Sequence, residues 1–149
     1  MDEGFRWFGL FIIFVSIGTS VSALITERWG CGGLFTGCQN TEWKTVAAIV
    51  GGLTVAGTFC MVVLFVIEFL SLCIAALRSS RMVLIVRYIL VLLAMACTLT
   101  AVLFYTAKIG RMWSYFLAVC SGVLCVQVGF LLVVREFTKS PHSGMIRIE

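Results

Sequence analysis

The sequence predicts an all-α membrane protein, a four-transmembrane-helix up-down bundle with at most a small disulfide-closed hairpin in the first outer loop. Three observations predict it. Of 149 residues, 61% are hydrophobic and only 12% charged, where a soluble domain carries roughly 45–50% and about 25%. Four apolar stretches each reach the roughly 20 residues that a helix needs to cross a bilayer. The connections between them are short. So little charge leaves no polar exterior to a single domain of this length, which excludes a soluble enzyme, a nucleic-acid binder and a disordered tail.

The spans are expected at 5–25, 46–77, 82–106 and 113–134. They are continuous apolar runs, so each reads as a helix; a membrane strand would alternate its faces. The first run exceeds the usual 7–15-residue core of a signal peptide, and Asp2 and Glu3 replace its basic start. It is read as a retained helix. The sequence 26–45 forms the one sizeable loop and 135–149 a polar tail. Tight turns elsewhere make consecutive helices antiparallel neighbours in a single domain, 1–149.

Four spans put both chain ends on one side. Arg6, Arg78, Arg81, Arg135, Lys139 and Arg147, with Arg87 just inside, outnumber Arg28, Lys44, Lys108 and Arg111 on the other face. That bias places both termini in the cytosol. The net charge of +4 suits anionic inner-leaflet lipid and is no nucleic-acid footprint. Trp29, Trp43, Tyr105, Trp113 and Tyr115 fall at the outer boundary and Trp7 and Tyr88 near the inner one, as an aromatic belt would.

The outer loop holds four glycines within eight residues (Gly30, Gly32, Gly33, Gly37) and the cysteines Cys31 and Cys38. This composition describes a tight, turn-rich structure. On the oxidising side of a membrane the two thiols can bridge, stabilising the loop by about 2–3 kcal/mol through restriction of the unfolded chain. Two free thiols are the alternative.

Gly33-Leu34-Phe35, followed after two residues by Cys38 and preceded by Trp29, resembles the Gly-Leu-Trp…Cys…Cys signature in the first outer loop of the claudin superfamily. That group includes epithelial membrane proteins, peripheral myelin protein and calcium-channel gamma subunits. The layout, with the longest loop after the first helix, is similar too. The sequence departs from the pattern in three places. Phe35 replaces the Trp of the triplet. The next cysteine after Cys38 is Cys60, in the second span, so Cys31 would have to be the partner. The loop is far shorter than the family's: roughly 18 residues at about 3.3 Å each make one small hairpin, not the sheet that seals or bridges cells. What the resemblance implies is a non-enzymatic tetraspan at the plasma membrane that works by binding.

Within the second span, Ala48, Gly52, Ala56 and Cys60 recur every four residues. Small residues at this spacing let helix backbones approach closely in lipid. The stripe is expected to pack inside the bundle; lateral docking on another membrane protein is the alternative. Ser16 and Ser20, Ala94 and Thr98, and Ala118 and Gly122 follow the same logic. Two charges lie inside apolar runs, Glu68 and Arg87. An isolated charge in a bilayer costs at least about 2.5–3.5 kcal/mol, and across the turn the two depths differ by roughly 5 Å, so an ion pair is expected, as a clamp or as a functional site. Cys60, Cys97, Cys120 and Cys125 read as packing residues, and Cys73 as a residue that palmitoylation could reach.

Material for catalysis is scarce. The only histidine is His142 and the only aspartate Asp2, which leaves little for acid–base or metal chemistry. No two of the seven cysteines are spaced Cys-x-x-Cys. A membrane glutathione-conjugating enzyme would need a polar motif that the second span lacks, and a proton-coupled transporter a carboxylate nearer mid-depth. The expectation is therefore no enzyme, no cofactor and no metal. The partners expected are the lipid bilayer and another integral membrane protein (channel, receptor or adhesion complex) or a second copy, with modulation of assembly, trafficking or gating as the task. A cell-junction or adhesion role is the alternative.

Overall fold

A computed structural model of the chain describes residues 2–27, 29, 33, 35–38, 42, 44–74, 80–108 and 113–139. Four helices hold nearly all of them: α1 (Asp2–Ile25), α2 (Lys44–Cys73), α3 (Arg81–Lys108) and α4 (Trp113–Lys139). No strand occurs among the described residues. All four helices are long and apolar enough to cross a membrane, and the chain is an integral multi-pass membrane protein.

The helix boundaries differ from those that hydropathy marks. α1 begins at Asp2 and α2 at Lys44, and α4 continues to Lys139 although its apolar span stops at Val134. Hydropathy records where lipid contact ends, whereas intrahelical hydrogen bonding continues through good helix formers such as Arg135, Glu136 and Lys139. The segment expected as tail from 135 is therefore helical at its start. α2 runs to Cys73, its last turn closed by the Ile74 amide donating to the Leu70 carbonyl at 2.9 Å; the expected remainder of that span, 75–77, lies outside the described residues. With 30 residues α2 measures about 45 Å. It outruns a hydrocarbon core of about 30 Å and must tilt or project.

α2 packs most extensively on α3, and α1 on α4, with smaller contacts between α3 and α4 and between α1 and α2. The sorting of side chains inverts that of a soluble protein. Phe11 (63% exposed), Phe59 and Phe130 (67% each) point outward, while Ser16, Ser20, Thr54, Ala94 and Ser121 are buried. Lipid tails are as apolar as leucine, so close packing and polar contacts, not burial of large side chains, draw such helices together. Between α1 and α4 the Ser121 hydroxyl donates to the Ser16 carbonyl at 3.3 Å, and Ser20 bonds the same hydroxyl. Thr54, Thr58 and Thr98 return their protons to carbonyls four residues back, at 2.7–2.8 Å. Their hydroxyls are thereby satisfied within their own helices. At Gly57 the backbones of α2 and α3 come so close that a β-carbon would lie 2.9 Å from Thr98 Cγ2.

The buried residues form two clusters. One joins Ile13, Met61, Leu64, Val91, Cys125 and Val128. The other, toward the loop, joins Ala23, Trp29, Cys38, Val50, Ala101 and Tyr105. Cys120, expected to pack, is exposed, whereas Cys125 is fully buried and Cys97 half-buried. One turn plus a fraction separates positions 120 and 125, enough to move them to different faces.

Candidate functional site

At the end of the helices away from the loop, three helices converge on a buried ionic cluster. α2 supplies Glu68 and Ser71, three residues apart and hence on one face. α3 supplies Arg87 and α1 supplies Arg6. Arg87 Nε lies 3.0 Å from Glu68 Oε1, and Arg87 Nη2 donates to Ser71 Oγ. The planar guanidinium turns Nε toward the carboxylate and Nη2 toward the hydroxyl at once. The Ser71 hydroxyl donates in turn to the Ile67 carbonyl at 2.7 Å, so it serves once as acceptor and once as donor. Arg6 Nη2 donates to the Ser71 carbonyl at 2.6 Å. Ser71 is thus gripped by one arginine through its side chain and by another through its backbone. Glu68, Arg87 and Arg6 are 8%, 5% and 9% exposed, so these charges act on one another with little screening by water.

Sequence reading singles out Glu68 and Arg87 and misses the other two members. Arg6 enters it only as a topology charge. Ser71 carries a weak signal, its three-residue spacing from Glu68, but a backbone carbonyl acceptor has no signature in sequence. Among the described residues no three histidine, cysteine, aspartate or glutamate side chains converge as a metal site would require.

At the loop end, Trp29 is buried, not part of a belt. Its Nε1 donates to the Ala23 carbonyl at 2.9 Å, which caps an orphan acceptor near the end of α1. Its ring meets Tyr105 of α3 edge-on, with centroids 4.8 Å apart at 80°, the geometry that aromatic quadrupoles favour. Tyr105 is also buried, so both depart from the interfacial role expected of them; tertiary pairing has overridden interfacial preference. Trp7, by contrast, is 59% exposed, and the Tyr88 hydroxyl donates to the Leu132 carbonyl at 3.4 Å. Beyond Trp29, the Gly33 carbonyl accepts from the amides of Thr36 and Cys38 at 3.2 and 3.0 Å. That double acceptor closes a tight turn and holds Cys38 fully buried. Phe35 is 55% exposed at its tip. Cys31 and Leu34 lie outside the described residues, as does Trp43.

The small-residue stripe of α2 does not stay together. Cys60 is buried, but Ala48, Gly52 and Ala56 are exposed, and a β-carbon on Gly52 would have nothing within 4 Å. The expectation that the stripe packs inside the four helices is corrected for those three. A four-residue step advances about 40° beyond a full turn, so over three steps the stripe winds from the outer surface to the interior. Small positions that do face inward include Ala47, Gly51, Thr54 and Gly57. Cys73 is exposed at the end of α2.

No protein-family model matches this chain, and neither a curated protein nor a solved structure is significantly similar to it.

Proposed function

We propose that this protein is a divergent claudin-like tetraspan that binds another integral membrane protein side by side, or a second copy of itself, and modulates the assembly, trafficking or gating of that complex. It has no enzymatic activity in this reading. The helices run up-down-up-down, the loop faces outside and both termini lie in the cytosol at the plasma membrane. Antiparallel order is supported by contacts between opposite ends: Arg6 near the start of α1 with Ser71 near the end of α2, and Tyr88 near the start of α3 with Leu132 late in α4. A Cys31–Cys38 bridge closes the loop; its support is that Cys38 is buried and does not stand among the free thiols.

The observation that carries the binding role is the exposure of Ala48, Gly52 and Ala56. Lipid alone favours large apolar side chains outside, as Phe59 on the same helix shows. A lane without side-chain bulk instead leaves the backbone open to close approach by a partner helix. Gly52→Leu with Ala56→Leu is expected to abolish co-purification of the partner in mild detergent while leaving thermal unfolding unchanged. Gly57→Ala, at the closed α2–α3 contact, is expected to lower stability by about 1–3 kcal/mol through overpacking and to affect partner capture only through folding. Undiminished co-purification in a folded Gly52→Leu, Ala56→Leu protein would contradict the proposal.

A further inference from the structure

We propose that the groove beside the ionic cluster is a binding site for an anionic phospholipid, with the lipid phosphate at Arg6 and one acyl chain lying between α1, α2 and α4. The inference stands apart from the lateral-partner reading and needs only the membrane-spanning fold. The groove is lined by Arg6, Gly9 and Ile13 of α1, by Leu64 and Glu68 of α2, and by Leu131 of α4. It therefore has one charged end and an aliphatic wall, the two-part chemistry of a lipid. A guanidinium that is 9% exposed lines its polar end, held in place through the Ser71 carbonyl at 2.6 Å.

Depth and charge sign select the occupant. Arg6 stands four residues into α1, about 6 Å of rise, which is the level of headgroup phosphates when the polar start of the helix lies in the interface. The carboxylate of Glu68 also faces the groove, but its Oε1 is 3.0 Å from Arg87, whose charge offsets it. Arg6, Glu68 and Arg87 together sum to one positive charge. Basic pockets between membrane helices are the sites that hold anionic headgroups, and guanidinium is the side chain best matched to phosphate. Gly9 keeps the chain slot open, for a β-carbon there would have nothing within 4 Å; Ile13 and Leu64 form an apolar floor.

The test is native mass spectrometry of the purified full-length protein, incubated with equal amounts of phosphatidylserine and phosphatidylcholine carrying the same acyl chains. About fivefold more phosphatidylserine is expected to be retained, the effect of one arginine on one added lipid charge. Arg6→Gln should bring the ratio to parity. Gly9→Leu should fill the slot and lower retention of both lipids, and excess inorganic phosphate should leave the bound lipid in place. Equal retention of the two lipids by the wild-type protein would overturn the proposal. So would unaltered retention by folded Gly9→Leu, which would assign the preference to surface charge alone. Displacement by inorganic phosphate would mean a free-anion site without a chain slot, and would overturn it equally. Should Arg6→Gln fail to fold, the wild-type ratio and Gly9→Leu decide.

Discussion

Glu68→Gln is expected to lower the unfolding free energy in detergent by about 3–5 kcal/mol, the cost of removing one member of a buried ion pair. The loss comes less from the missing attraction than from the guanidinium left behind. Arg87 keeps its hydrogen bond to Ser71 Oγ, but its charge stays buried at 5% exposure without the carboxylate at 3.0 Å. Adding Arg87→Leu to the same chain removes that stranded charge and is expected to recover part of the stability. Ser71 would lose a donor and keep its own bond to the Ile67 carbonyl. Chemical denaturation of the two single variants and the double variant measures the coupling. Additive costs would show that Glu68 and Arg87 do not stabilise each other.

The second large effect is expected at Trp29. Truncation to alanine in a packed interior costs about 3–5 kcal/mol, and here one side chain fastens three elements. It seats the outer loop on α3 through the edge-on contact with Tyr105 and caps the Ala23 carbonyl of α1. Trp29→Ala should therefore lower stability by about that amount and expose the chain after α1 to limited proteolysis. Trp29→Phe keeps an aromatic ring but cannot donate, and should cost about 1–2 kcal/mol. If Trp29→Ala melted with the wild-type protein, the loop would not be fastened to the helices in this way.

The membrane-spanning character was plain from the residues because bilayer thickness dictates the length of an apolar run directly. Helix ends were less legible, since Lys44 and Arg135 are polar yet helical, and hydropathy cannot see a hydrogen bond that continues into water. The ionic pair was readable because two charges inside apolar runs have few ways to be accommodated. Arg6 was not, because its acceptor is the backbone of Ser71 and backbone acceptors are identical at every position. The phase of the Ala48–Cys60 stripe was lost for a geometric reason: a repeat of four drifts on a helix of 3.6 residues per turn. Depth alone points Trp29 and Tyr105 to the interface, and only tertiary structure brings them together in the interior. The loop resemblance concerns a handful of residues, of which Cys31 and Leu34 lie outside those described, so it informs the proposed role more than the fold.

Topology labelling examines the four-span reading as a whole. Epitope tags at each end of the chain, and a third inserted beside the exposed Phe35, would be probed with antibody in intact and in permeabilised cells. The loop tag should be stained on intact cells, and both terminal tags only after permeabilisation. Staining of either terminus on intact cells, or of the loop only after permeabilisation, would contradict it.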